Sequence, residues 1–483
     1  MSNAASSTKE IHVDVAVIGG GVMGIALARQ LLLVASSSSP DAASTASSQP
    51  SSRPTTVALV EALPFMLCGA SAGNSAMIHC GFDCTTGTVE HAMVVRGHRL
   101  FSEYAADCAR RGLYLPWVPS GAIMLAMSNE EMSIVRDDIL PKAVANGVTN
   151  TKLLTSREEV LALEPHVHLN VVGGLHVPSE WIVDPWRYPA LLLAEAATAP
   201  GLSIIRSCRV TSVRREEEEG GGGPYHQWYR LFDHKGQCRV KARMVVNCAG
   251  LKGDAVEALL HSTNHSSPPP RLAFDVFPRL GRFIQFGPEA APLVQRALLP
   301  IPTKKSKGII VFRTVYGQVF VGPTAEDPDE PRASQSAVVK SLRNAASSKV
   351  PALKDVQDVA TYAGARPALR QRQDYLIDLD SRDIGWFTVA GVRSTGLTAS
   401  LAVAELVAPR VLQQLLMTTS SNSSSSCRAS PPQTVAPYCI NSAPLPSAEA
   451  VNASLQMLLG PGGPLSYDRR HPISSEGCPT PKL

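Results

Sequence analysis

Gly19, Gly21 and Gly24 stand at the spacing Gly-x-Gly-x-x-Gly. They lie between a β-branched apolar run, Val13 to Ile18, and a proline-free apolar stretch, Val22 to Val34. In a strand–turn–helix setting the first glycine permits the tight turn. The second lets the backbone approach a pyrophosphate, and the third lets helix and strand pack closely. The helix start presents free N–H groups and partial positive charge to the phosphates. Glu61 ends the next apolar run, Val57 to Val60, where an acidic side chain accepts hydrogen bonds from a ribose diol. Its distance from the glycines exceeds the usual interval of about 20 residues; the Ser-, Ala- and Pro-rich stretch from Ala35 to Thr56 accounts for the excess. A plain turn and a solvated strand end are the bland alternatives. The pattern reads as a dinucleotide site and does not separate FAD from NAD.

The elements that position these residues follow from periodicity and punctuation. Strands are expected over 13–18, 57–60, 202–213, 240–246 and 387–390, and helices over 22–34, 156–163 and 397–416. A helix over 130–145 should break or kink at Pro141, and the helix over 397–416 should kink at Pro409. Gly308 to Gly322 reads as a hairpin turning near Gly317, and 216–223 and 261–270 read as loops. Residues 35–56 bury too little apolar surface to order themselves and read as a flexible insertion. Residues 418–430 form a Ser-rich linker, and the Pro-rich tail beyond shows helical character only over 448–459. Alternation of strands and helices in the first part favours a parallel sheet with crossover helices.

The chain has 483 residues, enough for two or three domains, with 44% hydrophobic and 18% charged residues. A net charge of +4 without a dense basic stripe argues against a nucleic-acid binder. Ten cysteines lack CxxC spacing and read as small apolar residues of a reducing compartment, with no metal site expected. No signal peptide or transmembrane run is expected. The final Pro481-Lys482-Leu483 loosely resembles a peroxisomal address, so a cytoplasmic location is expected with a peroxisome-type organelle as the alternative.

Several further segments agree in order with one family. Ser71-Ala72-Gly73-Asn74-Ser75-Ala76-Met77-Ile78-His79-Cys80-Gly81 resembles the second flavin-contacting segment of the D-amino-acid-oxidase-like FAD superfamily. The branch it looks most like holds glycerol-3-phosphate and L-2-hydroxyglutarate dehydrogenases. Pro178 to Pro185, Val245 to Gly250, Pro278-Arg279-Leu280-Gly281, Lys307-Gly308, Val321 to Asp327 and Gly391 to Ser400 are similar to other segments of that branch. The resemblance spans roughly 12–416. It implies an α/β fold: a Rossmann-like FAD-binding domain plus an α+β substrate domain with an antiparallel sheet, both discontinuous. The FAD-binding domain is expected from 12–98, 169–256 and 361–416, the substrate domain from 99–168 and 257–360, and a low-complexity tail from 417–483. Two departures stand out. The insertion at 35–56 is extra, and Cys427, Cys439 and Cys478 are too few and too spread to ligate the iron–sulfur cluster some relatives carry.

The resemblance implies an FAD enzyme that takes a hydride from the CH–OH carbon of a small anionic substrate, glycerol-3-phosphate dehydrogenase-like, with 2-hydroxyglutarate oxidation as the alternative. Flavin contacts are expected from Gly19, Gly21, Gly24, Glu61, Ser71, Asn74, Ser75, Ala249, Gly250, Gly391, Thr395, Gly396 and Leu397. Backbone N–H groups of the last three would stabilise negative charge on the reduced flavin. Histidine as a residue type exchanges protons near neutrality, which makes His79 the general-base candidate. Contact with or covalent attachment to the flavin, and a hydrogen-bonded core role, compete with that reading. Arg366 lies in Gly364-Ala365-Arg366-Pro367, similar to a Gly-x-Arg-Pro segment of the family's substrate pocket, and its guanidinium suits a carboxylate or phosphate. Lys307 and Arg393 are secondary candidates. The electron acceptor stays open among oxygen, a quinone and a carrier protein. A non-catalytic flavin protein, an NAD enzyme and an amino-acid oxidase are the competing classes.

Overall fold

Strand Ile11–Ile18 pairs in parallel with Val57–Val60 on one side and Cys238–Asn247 on the other. Leu202–Ile205 and Trp386–Ala390 extend the parallel array at its two ends. An antiparallel meander, Val210–Glu217 and Gln227–Asp233, joins Cys238–Asn247. The computed structural model describes residues 9–35, 54–217, 227–261, 274–302, 308–379, 385–419 and 445–474. The expected insertion, most of the 216–223 and 261–270 loops, the Ser-rich linker, Lys307 and the terminal Pro481-Lys482-Leu483 therefore fall wholly or largely outside the described residues.

The sheet is covered on both faces, as parallel sheets require. Val15, Val17, Val57 and Leu59 pack against Ile25 and Leu31 of helix Val22–Ala35 and against Ala399, Val403 and Val407 of helix Gly396–Thr419. Ala16, Ile18, Ala58 and Val60 face the other way, toward Val256 and Leu260 of helix Gly253–His261. Each fully buried valine or leucine contributes about 2 kcal/mol, so the glycine turn sits on a firm base.

A second sheet runs in the order Asp358–Leu369, Val276–Phe286, Val319–Gly322, Ile310–Arg313, Ala297–Leu299, Ala122–Ala126, Gly173–Val177, Lys152–Leu154. Its pairings are antiparallel except that of Ala297–Leu299 with Ala122–Ala126. The mixed α/β architecture is the one expected. Gly173–Val177 and residues 361–369 run in this second sheet, which differs from the stretches assigned to the first domain on sequence. The expected hairpin forms, with Gly317 at φ 84° in its turn.

One local reading needs correction, and two are refined. The single strand expected over 202–213 is two strands, Leu202–Ile205 and Val210–Glu217; Ser207, at φ 51°, turns the chain between them. The helix over 130–145 forms in three pieces: Asn129–Ile134, a π turn at Val135–Ile139, and Leu140–Ala145. Pro141 has no N–H for the carbonyl of Asp137 and its ring crowds it, so the register widens in the turn before the proline. In the tail after 417 the helix expected over 448–459 forms. Helix Ala448–Leu459 repeats apolar residues at helical spacing, and Val451, Leu455, Leu458 and the following Leu465 enter the core of the first sheet's helices. Ile473 enters the core of the second sheet.

Candidate flavin and substrate site

The glycine turn is crowded where the spacing says it should be. Gly19 has φ 119°, and a Cβ there would lie 2.3 Å from the Cys248 carbonyl oxygen. A Cβ on Gly24 would lie 1.9 Å from the Gly19 oxygen. Both positions exclude any side chain. At Gly21 an added Cβ meets only Ser71 Oγ, at 3.2 Å, so this turn stays open to a phosphate. Ser71 Oγ accepts from Val22 N at 3.0 Å and caps the helix start. Glu61 holds the turn through Oε2, which accepts from Gly20 N at 2.8 Å, while Oε1 accepts from Leu63 N at 2.8 Å. A carboxylate has about four lone-pair sites, so two remain for a ribose diol.

The remote loop closes on this turn. Gly396, opening the last long helix, lies against Met23: its added Cβ would be 3.4 Å from Met23 Cε. Ala249 lies beside Gly19, and Gly250 and Gly391 both have positive φ, 54° and 70°. Leu397 is buried. The Thr395 hydroxyl is engaged elsewhere, with Glu90 Oε1 at 2.8 Å and the Tyr375 hydroxyl, and its carbonyl accepts from Ala399 N, so only its backbone N–H is left for a ligand. Asn74 also spends its side chain locally: Nδ2 donates to Ser71 O and Oδ1 accepts from Ala76 N. Ser75 lies half-buried in the same turn.

His79 gains a partner that the sequence reading missed. In a small three-stranded sheet, Met77–Ile78 pairs with Trp181–Val183 so that Met77 faces Ile182 and Ile78 faces Trp181. One step further, His79 meets Glu180. His79 Nδ1 lies 2.9 Å from Glu180 Oε2, and Glu180 Oε1 accepts from Cys80 N at 2.8 Å. His79 N donates to Thr398 Oγ1 at 2.9 Å, tying the pair to the last helix. Burial alone would raise the Glu180 carboxyl, but the charge and hydrogen bond of His79 and the Cys80 N–H outweigh it and lower its pKa. When the ring is neutral, an ionised Glu180 accepts from Nδ1–H and the lone pair lies on Nε2. The side chain of His79 is 16% exposed and that of Glu180 1%, so the histidine keeps an opening while its orienting carboxylate does not. The signal was present in Pro178-Ser179-Glu180-Trp181, but only strand pairing reveals it.

Arg366 stands directly across from Arg279 in the pairing of Asp358–Leu369 with Val276–Phe286. Like charges directly opposite on a sheet repel. Burial, then the charges of Arg279 and Arg393, push the Arg366 guanidinium down to about 10. Asp327 holds Arg279 through two bonds, at 2.6 and 3.0 Å, and Glu90 holds Arg393 at 3.1 Å. Arg366 donates only to the Thr324 carbonyl, at 3.3 Å, and has no carboxylate at ion-pair distance among the described residues. Arg279 was missed as a site residue on sequence. The strand carrying Arg366 presses on the 71–75 turn: a Cβ on Gly364 would lie 1.8 Å from the Gly73 oxygen. The glycine turn, the remote loop, the His79–Glu180 pair and the arginines thus belong to connected parts of the fold.

A parallel sheet with a glycine cradle, joined to a mostly antiparallel sheet carrying cations, is the architecture of a dinucleotide-binding protein with a second, ligand-facing layer. Residues 14–410 match the family described as FAD dependent oxidoreductase (DAO), and the chain belongs to that family, with FAD as its cofactor. It is 28% identical over 396 residues to a glycerol 3-phosphate dehydrogenase of Caloramator mitchellensis, covering 82% of this chain and 72% of that protein. It is 24% identical over 399 residues to a glycerol 3-phosphate oxidase of Mycoplasma pneumoniae, covering 81% and 92%. In fold it is similar to FAD-bound L-alpha-glycerophosphate oxidase from Mycoplasma pneumoniae, with TM-score 0.68, 22% identity and coverage of 84% and 95% of the two chains. It is also similar in fold to glycine oxidase from Geobacillus kaustophilus, with TM-score 0.65, 22% identity and coverage of 83% and 95%. No helix among the described residues is long and apolar enough to cross a membrane.

Proposed function

We propose that the protein oxidises the CH–OH group of a small anionic substrate of the glycerol 3-phosphate type. FAD, when bound, supplies the acceptor for the hydride. Gly19, Gly21, Gly24 and Glu61 hold its dinucleotide end, and the 71–75, 249–250 and 391–397 segments hold the rest. Arg366, with Arg279 and Arg393 behind it, binds the anionic group. His79 Nε2 takes the hydroxyl proton, and Glu180 fixes the ring through Nδ1. Positioned proton transfer of this kind contributes about 10²–10⁴ in rate.

The observation that carries the reading is Arg366, a half-buried guanidinium facing a second arginine across the sheet with no carboxylate at ion-pair distance among the described residues. An anion offsets both the repulsion and the unmet hydrogen-bonding capacity. The glycerol 3-phosphate relatives favour phosphate. The test is steady-state kinetics with glycerol 3-phosphate and an artificial electron acceptor, on the wild type and on Arg366→Ala. Turnover that the substitution abolishes supports the proposal; turnover indifferent to it contradicts it.

A second reading, oxidation of a 2-hydroxy acid, has its own support. The chain is 26% identical over 322 residues to an Escherichia coli L-2-hydroxyglutarate dehydrogenase, covering 65% and 64% of the two chains. Paired arginines bind carboxylates as readily as phosphates. The same assay with L-2-hydroxyglutarate separates the two.

A further inference from the structure

We propose that the C-terminal segment 462–474 is a working part of the flavin site, and that His471 is a positioning residue for the turn 71–76. The inference rests on the reading that this turn contacts the flavin, and it adds a part of the chain beyond the 14–410 span of the family match. After helix Ala448–Leu459 the chain runs along the outside of residues 61–76. Pro464 O accepts from Met66 N at 2.9 Å, and Arg206 donates to the carbonyls of Gly462 and Gly463 at 2.6 and 3.0 Å. Met66 itself lies against Gly20 in the glycine turn. Farther on, Ser474 Oγ donates to Asp184 Oδ1, in the segment that follows Glu180.

Between these anchors His471 reaches the turn. Its Nε2 accepts from the Asn74 backbone N–H at 2.8 Å, while the Asn74 carbonyl accepts from the Tyr362 hydroxyl at 2.8 Å. Both sides of the residue are thus gripped from distant parts of the chain. The Tyr362 ring meets His471 edge-on at 5.4 Å and stacks on Phe283 at 4.5 Å. The grip has something to hold. Ala76 is fully buried at φ 59°, a conformation costly for a residue with a Cβ. Left alone, the turn would relax. His471 is 1% exposed, so no water replaces it at Asn74 N without opening the core.

The experiment measures FAD affinity of the full-length apoprotein by titration, flavin absorbance fine structure of the holoprotein, and thermal unfolding of the apoprotein. The variants are His471→Ala, His471→Gln, Leu342→Ala and Asn74→Ala. Leu342 is fully buried in helix Gln335–Ser347 against the second sheet, outside every segment assigned to the flavin or the substrate, so its truncation reports destabilisation alone. Leaving a buried N–H unpaired predicts FAD affinity about tenfold weaker in His471→Ala. His471→Gln, whose amide oxygen restores an acceptor, recovers most of it. Leu342→Ala lowers the unfolding temperature with affinity within about twofold of wild type. If His471→Ala and Leu342→Ala weaken FAD binding equally, or His471→Ala does not weaken it, the positioning role is overturned. If Asn74→Ala leaves affinity and flavin spectrum unchanged, the assignment of the turn to the flavin fails first, and the inference with it.

Discussion

At the residue scale, the proposed reaction puts proton transfer and charge recognition on different side chains. His79→Ala should lower kcat by about 10²–10⁴ with little change in FAD content. Glu180→Gln should lower kcat at least about tenfold, because an amide next to Nδ1 no longer selects the tautomer with Nε2 free. Steady-state kinetics with flavin quantified by absorbance checks both. Arg366→Lys should raise KM more than it lowers kcat, since an ammonium keeps the charge but not the fork. A fourth expectation concerns pH. Burial pushes His471 down to about 3, against about 6.5 for a free histidine. The folded state therefore prefers the neutral ring, and the unfolded chain takes up the proton first. This stabilisation is fully present above about pH 6.5 and is lost as pH falls toward about 3. The unfolding temperature should fall more steeply over that window in the wild type than in His471→Gln.

At the element scale, the tight seam is the contact between strand Asp358–Leu369 and the 71–75 turn. Gly364→Ala places a methyl group 1.8 Å from the Gly73 oxygen, so strand and turn must separate. The expected outcome is weaker FAD binding and a lower kcat together, read by cofactor titration and turnover. Elements of this kind also explain what the sequence made legible. The glycine turn, Glu61 and helix Val22–Ala35 are set by local spacing and were readable directly. Glu180 was not, because its role needs the register of Met77–Ile78 on Trp181–Val183, two segments about a hundred residues apart. Arg279 was hidden for the same reason: only the antiparallel pairing sets it across from Arg366. In the tail the helix over 448–459 was readable, but its Ser- and Pro-rich surroundings gave no sign that its apolar face and His471 would be buried.

At the scale of the whole molecule, the N-terminal turn, the loop at 391–397 and residues 462–474 converge, although they span nearly the full chain. Such an arrangement couples cofactor binding to folding. FAD saturating its site should raise the unfolding temperature in proportion to the logarithm of its concentration over Kd, and calorimetry on apo- and holoprotein checks this. The class of reaction is tested most directly by anaerobic reduction of the purified holoprotein, watching the long-wavelength flavin band. Glycerol 3-phosphate should bleach that band in the wild type, far more slowly in His79→Ala, and only at much higher concentration in Arg366→Lys. A protein whose flavin stays oxidised with glycerol 3-phosphate and L-2-hydroxyglutarate, yet bleaches with an amino acid, would contradict the oxidation of a CH–OH group.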